Sequence, residues 1–506
     1  MALNAESVPM RWPAGPLDIA CGEKAKGFTA QTAEVLRNWQ DPASLAIVQG
    51  TPVNCLVVSW AAGLPADAAQ PEALKPLIEK GRQAGLDFVG LIEGKADRVA
   101  AVAAAKAAGL AAVAMDGDAP AGASLPVIPW NKGSQVRSAS SPVLGISDGI
   151  WPGLPQAASQ AGGPTNLPWV DSNGAPVLIA RALAPDKTVW VGFDPPPPQP
   201  PPQPPQQQPP RPQQQAGNSA EAYVLAVADP ASYGAKWVIS LDDQLRADLT
   251  AKKQPAADVW KKLVETLAFF GLHNQARTYQ PDGPLAVLSN FAGPDYDSGE
   301  EAINLFPRIR QPFRVIARSR AAAASFAGLQ AVYYVDQEAP DAALRQKLIA
   351  FAQGGGTLFV PSKWPNPEGA PLTAEPYLVF NLRKLGNGRL AVCKDAQPDP
   401  SDLVDDIQNI VSHRNDILRL YNAPSMNFLY ETSAQGRQGV IHLLNFSRRP
   451  GSDGPLFYVK EPHKSARLVS PEIASPTDLA FTPQEAGGAE LFLPKLSVYG
   501  AIELEK

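Results

Sequence analysis

A chain of 506 residues exceeds what one hydrophobic core covers, so two to four domains are expected. Hydrophobic residues make up 45% and charged residues 18%, an ordinary globular composition, and no run of about eighteen apolar residues marks a membrane span. The net charge of −5 argues against a nucleic-acid binder, which would carry a basic face.

The start, MALNAESVPMRWP, has neither a basic n-region nor an apolar h-region. A processed leader would leave the same picture, so cytoplasmic and periplasmic or secreted locations both stay open. Cys21, Cys55 and Cys393 show no CxxC spacing, which argues against structural zinc or a disulfide framework, and Cys21 and Cys55 are expected as small core residues. The first histidine is His273, so the N-terminal half has no imidazole for a metal site or a Ser-His-Asp triad. No cofactor and no metal are expected.

Short apolar runs ending in a polar or small residue follow in series: PLDIAC (16–21), NCLVVSW (54–60), DFVGLIE (87–93), LAAVAMD (110–116), LPVIPW (125–130), VLGISD (143–148), VWVGFD (189–194) and WVISLDD (237–243). Helical stretches such as PEALKPLIEKGRQAG, closed by a glycine C-cap signal, lie between most of them. Near-continuous apolar strands alternating with helices predict a parallel sheet covered on both faces, and eight of them suit a (β/α)8 TIM-like barrel over residues 1–275. A doubly wound open sheet is the alternative, since little helix separates the runs at 125–130 and 143–148.

The Pro/Gln-rich tract 195–215 falls between VWVGFD and the helix before WVISLDD, which makes it an insertion in the seventh connection. Proline lacks the backbone donor a sheet or helix needs there. A second α/β unit is expected over 276–400, a helical connector over 401–424 and an antiparallel β-sandwich over 425–506. The Gly354–Gly356 triplet follows a helix and precedes a strand, so it is expected as a C-cap turn and not a phosphate loop.

Barrel active sites lie at the carboxyl ends of the strands. Glu93, Asp116, Asp148, Asp194 and the Asp242–Asp243 pair stand there on this reading. Carboxylates without histidine support two main chemistries, cleavage of a glycosidic bond or binding of a hard cation such as Mg²⁺. Trp60, Trp130 with Asn131, Trp151 and Trp169 would offer flat apolar walls for sugar rings, with Asp171 and Asn173 as hydrogen-bonding neighbours. Each acid also has a plainer reading, as a helix cap or a partner of a neighbouring cation.

Barrel, then an α/β unit similar to class I glutamine amidotransferases, then a small β-sandwich resembles the layout of family 42 β-galactosidases. The likeness spans nearly the whole chain and rests on domain order, with weak motifs. It implies a two-carboxylate glycosidase, and a middle domain without the amidotransferase nucleophile that serves homo-oligomer assembly. LQAVYYVDQEAP indeed has no cysteine after its strand. Where that family carries glutamates after strands four and seven, this chain has Asp116 and Asp194. An Asp116–Asp148 pair would instead match the α-galactosidase clan.

The expected function is therefore hydrolysis of an oligosaccharide or glycoside. Asp116 would act as general acid and Asp194 or Asp148 as nucleophile or base, while Glu93 tunes their proton affinities. A catalytically inactive carbohydrate-binding or assembly protein is the second reading, and a Mg²⁺-dependent barrel enzyme the third. Carbohydrate is the expected partner, with no nucleic acid and no membrane.

Overall fold

The computed structural model describes residues 6–25, 28–137, 140–154, 169–196, 218–273, 278–372, 377–451 and 453–506. Two compact units divide the chain, Met1–Trp151 with Ala184–His273 and Pro152–Leu183 with Asn274–Lys506. Residues 152–183, expected inside the barrel domain, thus cluster with the second unit.

In the first unit the chain runs β1 (Pro9–Arg11), α1 (Pro16–Gly22), α2 (Ala30–Gln40), β2 (Cys55–Ala61), α3 (Gln70–Gln83), β3 (Asp87–Ile92), α4 (Arg98–Ala107), β4 (Ala112–Met115), β5 (Val127–Asn131) and β6 (Val143–Ile146). Helix α5 (Gly174–Leu183) belongs to the second unit. The chain then returns through β7 (Thr188–Gly192), α6 (Ala220–Ser232), β8 (Ala235–Val238), α7 (Asp243–Thr250) and α8 (Gln254–Leu272). The strands pair in parallel in the order β1 to β8, and a parallel bridge between Met10 and Ile239 brings β8 back to β1. That bridge makes the sheet a barrel and sets aside the open doubly wound alternative.

Residues two apart mark the inner face. Cys55 and Val57, Val89 and Leu91, Ala112 and Ala114, Ile128, Val143, Trp190 and Val238 form one core cluster, against which Trp130 packs. The alternate residues Leu56, Val58 and Trp60 are buried as well, on the outer face. Burial on both faces explains the continuous apolar runs.

One expected strand is wrong. Residues 16–21 form helix α1, with Pro16 at its first turn after Gly15 at φ 88°, and the first strand is Pro9–Arg11 instead. Proline suits a helix start because its missing N–H would lack a partner there anyway. Cys55 is buried as expected, whereas Cys21, at the end of α1, is exposed. The Pro/Gln tract does lie between β7 and α6, although 197–217 fall outside the described residues. Its flanks meet: Asn218 Nδ2 donates to the Pro196 carbonyl at 3.2 Å.

The second unit contains β9 (Gln280–Pro281), β10 (Leu285–Ser289), α9 (Pro294–Arg308), β11 (Phe313–Ala317), β12 (Ala331–Tyr334), α10 (Ala342–Gln353), β13 (Thr357–Val360), β14 (Ala370–Pro371), β15 (Phe380–Leu385) and β16 (Gly388–Cys393). Its mixed sheet has the order β11-β10-β12-β13-β16-β15-β14, parallel from β11 to β16. Gly354, as expected, is the C-cap of α10. Helix α11 (Pro400–Val411) follows, and the expected helical connector stops there, because Leu418–Tyr421 is already strand β17. A left-handed Ser412 at φ 70° closes the helix.

Strands β18 (Met426–Thr432), β19 (Gln438–Asn445), β20 (Leu456–Val459), β21 (Ser465–Val469), β22 (Thr477–Asp478), β23 (Phe481–Pro483), β24 (Ala489–Phe492) and β25 (Tyr499–Glu505) complete the chain. They form two antiparallel sheets, β17-β20-β24-β23 and β22-β21-β25-β19-β18-β9. Phe428, Ile441 and Ile502 from one sheet and Phe457 and Leu491 from the other share a core, which makes a sandwich. No helix among the described residues is long and apolar enough to cross a membrane.

Candidate functional site

Continuing the inward alternation past the last core residue of each strand brings Ser59, Glu93, Asp116, Asp194 and Ser240 to the carboxyl rim of the barrel. Ile92 pairs with Met115, so Glu93 and Asp116 follow at matching positions on adjacent strands. Met115 pairs with Pro129, which makes Trp130 the next neighbour of Asp116. Glu93, Asp116 and Asp194 are exposed, and Trp130 is half-buried. On the far side of the rim the Ser240 hydroxyl donates to Asp194 Oδ1 at 2.5 Å.

Two glycines make room for the Trp130 indole. A Cβ on Gly145 of β6 would lie 2.0 Å from Trp130 Cε3, and one on Gly192 of β7 would lie 2.4 Å from Cζ2. The ring therefore spreads across β6 and β7 toward the strand that carries Asp194. Of the tryptophans expected as sugar walls, Trp130 is the one that faces the barrel interior.

A polar group on the β1–β2 side escaped the sequence reading. Arg11 Nη2 donates to Ser59 Oγ at 2.5 Å, and Ser59 Oγ donates to Asp18 Oδ1 at 2.6 Å. Asp18 also accepts the Ala14 N–H at 2.7 Å. Beneath them Gln70, fully buried, donates to the carbonyls of Ala14 and Ser59 and accepts from Leu17 N. Placing a strand at 16–21 hid this cluster, because Asp18 then counted as a strand-interior residue. Partial burial, followed by the charges of Asp18 and Glu93, pushes the Cys21 thiol up, against the opposing charges of Lys24 and Arg11.

Several expected site residues have other work. Asp148 has outward parity and accepts the Gly133 N–H at 2.8 Å, holding the turn after β5. Asn131 Oδ1 accepts the Gly117 N–H at 2.8 Å, which fixes the turn after Asp116. Trp60 points outward, 2% exposed, and its Nε1 donates to Ala101 O of α4 at 3.0 Å, so it is no sugar wall. Trp151 stands 5.5 Å from Tyr223 and 5.7 Å from Trp237, ring centre to ring centre, in an aromatic cluster with Phe193. Asp242 caps α7 and accepts the Tyr223 hydroxyl at 2.8 Å, while Asp243 pairs with Arg246.

Trp169, Asp171 and Asn173 belong to the second unit. The Arg308 guanidinium sits 4.0 Å from the Trp169 ring centre. Burial pushes the Asp171 carboxyl up, and a hydrogen bond from the Trp169 side chain opposes this. Asn173 is buried just before α5. Among the described residues no group of three His, Cys, Asp or Glu side chains is placed to hold a metal ion.

No family model and no curated protein matches the chain. Among solved structures, α-L-fucosidase isoenzyme 2 from Paenibacillus thiaminolyticus aligns over 99% of this chain and 100% of its own, with TM-score 0.53 and 9% identity. A β-galactosidase from Bacillus circulans sp. alkalophilus aligns over 87% of this chain and 67% of its own, with TM-score 0.42 and 9% identity. For an exo-β-1,4-mannosidase from Opitutaceae bacterium strain TAV5 the shares are 79% and 93%, with TM-score 0.43 and 11% identity. The fucosidase likeness is one of fold. The chain shares with that fucosidase a fold in which a parallel (β/α)8 barrel is followed by an α/β sheet and a β-sandwich.

Proposed function

We propose that the barrel binds a carbohydrate and cleaves a glycosidic bond with two carboxyl groups. The observation that carries this reading is the exposed, inward-facing set Glu93, Asp116 and Asp194 around the half-buried indole of Trp130. A pyranose needs an apolar plate for its C–H face and carboxylates for its hydroxyls and its scissile oxygen, and these residues supply both. Asp116 is the general acid, because it follows β4 directly beside the ring. Asp194, oriented by Ser240, is the nucleophile or base. Glu93 neighbours Asp116 on the next strand and binds substrate hydroxyls. Asp148 takes no part, since its carboxylate serves the Gly133 turn.

The shorter reach of aspartate favours one rival, a barrel that binds sugar without cleaving it. Calorimetry and turnover on the same preparation separate the two. Hydrolysis of any aryl glycoside that disappears in Asp116→Asn supports the enzyme. Sugar binding that survives in Asp116→Asn and Asp194→Asn, with no hydrolysis by the unmodified chain, supports the binder. Self-association through the α/β sheet of the second unit, expected to be amidotransferase-like, belongs to the same proposal and is read by light scattering.

A further inference from the structure

In the mixed sheet of the second unit the chain enters at β10, steps to β11 on one side and then crosses to β12 on the other. The carboxyl end of β10 is therefore where the winding reverses. In open parallel sheets the loops part at such a point and leave a crevice for ligands. A cavity of about 610 Å³ lies there, lined by Asn290 after β10, Arg318 and Ser319 after β11, and Asp341 and Ala343 at the start of α10. That volume is in the range of small-molecule sites.

The polar groups of this cavity are held from behind. Asp336, fully buried after β12, accepts the Ser289 hydroxyl at 2.6 Å, the Asn290 N–H at 2.9 Å and Arg318 Nη1 at 3.1 Å. Lys347 Nζ donates to the carbonyls of Ala321, Ala322 and Ala324 at 2.7, 3.0 and 2.6 Å, which commits its three protons to the cavity wall. Asp341 Oδ1 caps α10 by accepting the Leu344 N–H at 2.9 Å.

This arrangement decides the ligand's charge. Arg318 is balanced by Asp336, and Lys347 by three carbonyls with Asp341 on the same wall. Asp336 at 3.1 Å and Glu338 at 3.6 Å already offset the Arg318 charge, so an oxyanion gains little net attraction here, whereas a neutral polyol needs none. What remains for a ligand is the rest of the Arg318 fork, the Ser319 hydroxyl and the second Asp341 oxygen, set against the methyl surfaces of Ala322 and Ala343. Donors and acceptors around a small apolar floor match the hydroxyl rim and C–H face of a pyranose.

We propose that this cavity is a second, non-catalytic carbohydrate site that takes a neutral mono- or disaccharide. It stands on the second unit alone and does not depend on the barrel being active. Isothermal titration of the full chain with methyl β-galactoside, methyl α-fucoside, methyl α-mannoside and lactose tests it. Each titration is repeated on Ala343→Trp, an exposed position where an indole fills the cavity, and on Arg318→Ala.

The expected result is binding of at least one sugar that Ala343→Trp weakens by about tenfold or more, with thermal midpoint and any aryl-glycoside turnover unchanged. Sugar binding indifferent to Ala343→Trp, or no sugar binding at all, overturns the proposal. So does tighter binding of inorganic phosphate than of every sugar at a site that Ala343→Trp blocks. Absent turnover with sugar binding sensitive to Ala343→Trp sinks the barrel reading and leaves this one standing.

Discussion

The Ser240 hydroxyl donates to Asp194 Oδ1 at 2.5 Å, joining the ends of two adjacent barrel strands. This contact fixes the direction in which the Asp194 carboxylate faces the barrel mouth. Ser240→Ala should lower kcat on the order of tenfold, the value of one hydrogen bond of about 1.4 kcal/mol, and leave KM nearly unchanged. Steady-state kinetics on an aryl glycoside check it. A loss confined to KM would place Asp194 outside the chemistry.

Trp130 and Gly145 are a matched pair. Gly145→Ala would push a methyl into the indole and should destabilise the barrel by about 1–3 kcal/mol. In a Trp130→Ala background the same change should cost well under about 1 kcal/mol, since its clash partner is gone. Urea unfolding of the four proteins gives the coupling. Additive costs would show that the indole does not lie across β6.

Arg181 of α5 and Glu431 of β18 form a buried ion pair, Nη1 to Oε1 2.7 Å, with both side chains under a tenth exposed. His442 Nε2 stands 3.6 Å from the other Glu431 oxygen, and its Nδ1 is 2.7 Å from the Tyr499 hydroxyl. Glu431→Ala strands the guanidinium in the interior and should cost about 3–5 kcal/mol. The Arg181→Met, Glu431→Leu double variant should recover most of that loss. Thermal midpoints measure both, and a double variant as unstable as the single one contradicts the pairing.

Burial raises the Asp336 carboxyl above its ordinary value of 3.8, against the lowering by Ser289, Asn290 and Arg318. A carboxyl raised on folding holds its proton more tightly in the native chain than in the unfolded one. Its contribution is therefore complete below pH 3.8 and is lost as pH rises through the folded value. The stability difference between the natural chain and Asp336→Asn, followed by urea unfolding from about pH 3.5 to 7, should fall with rising pH and then level. A difference that rises over that window contradicts the sign.

The Pro/Gln insertion begins and ends at one place, because Asn218 holds the Pro196 carbonyl. Replacing residues 197–217 by a short glycine linker should keep the fold and gain no more than about 2 kcal/mol from loop shortening. Circular dichroism and a melting curve suffice. Loss of the folded signal would show that the tract is part of the barrel.

Most of the architecture was legible because strands buried on both faces produce apolar runs that few other elements imitate. Seven of the eight runs became barrel strands, from Cys55–Ala61 to Ala235–Val238. The first did not, since a three-residue strand such as Pro9–Arg11 leaves little pattern and Pro16–Gly22 imitates a strand in composition.

The same double burial hid the facing of side chains. Trp60 and Trp130 both end apolar runs, yet one contacts α4 and the other fills the barrel mouth. Parity within each strand separates them only once the register is known. Arg11, Asp18 and Ser59 could have been found from the inward parity of Cys55, Val57 and Ser59, had β1 been placed correctly. Asp148 and Asp242 show the plainer fate of a strand-end acid, as acceptors for a turn and a helix start.

Cleavage of glycosides by the inward carboxylates of the barrel is tested most directly by initial rates of aryl-glycoside hydrolysis for the natural chain and for Asp194→Asn, folded to the same thermal midpoint. Turnover of at least one glycoside by the natural chain, reduced between about 10²- and 10⁴-fold in the variant, is the predicted result. Equal rates in the two proteins, or no hydrolysis of any aryl glycoside by the natural chain, would contradict it.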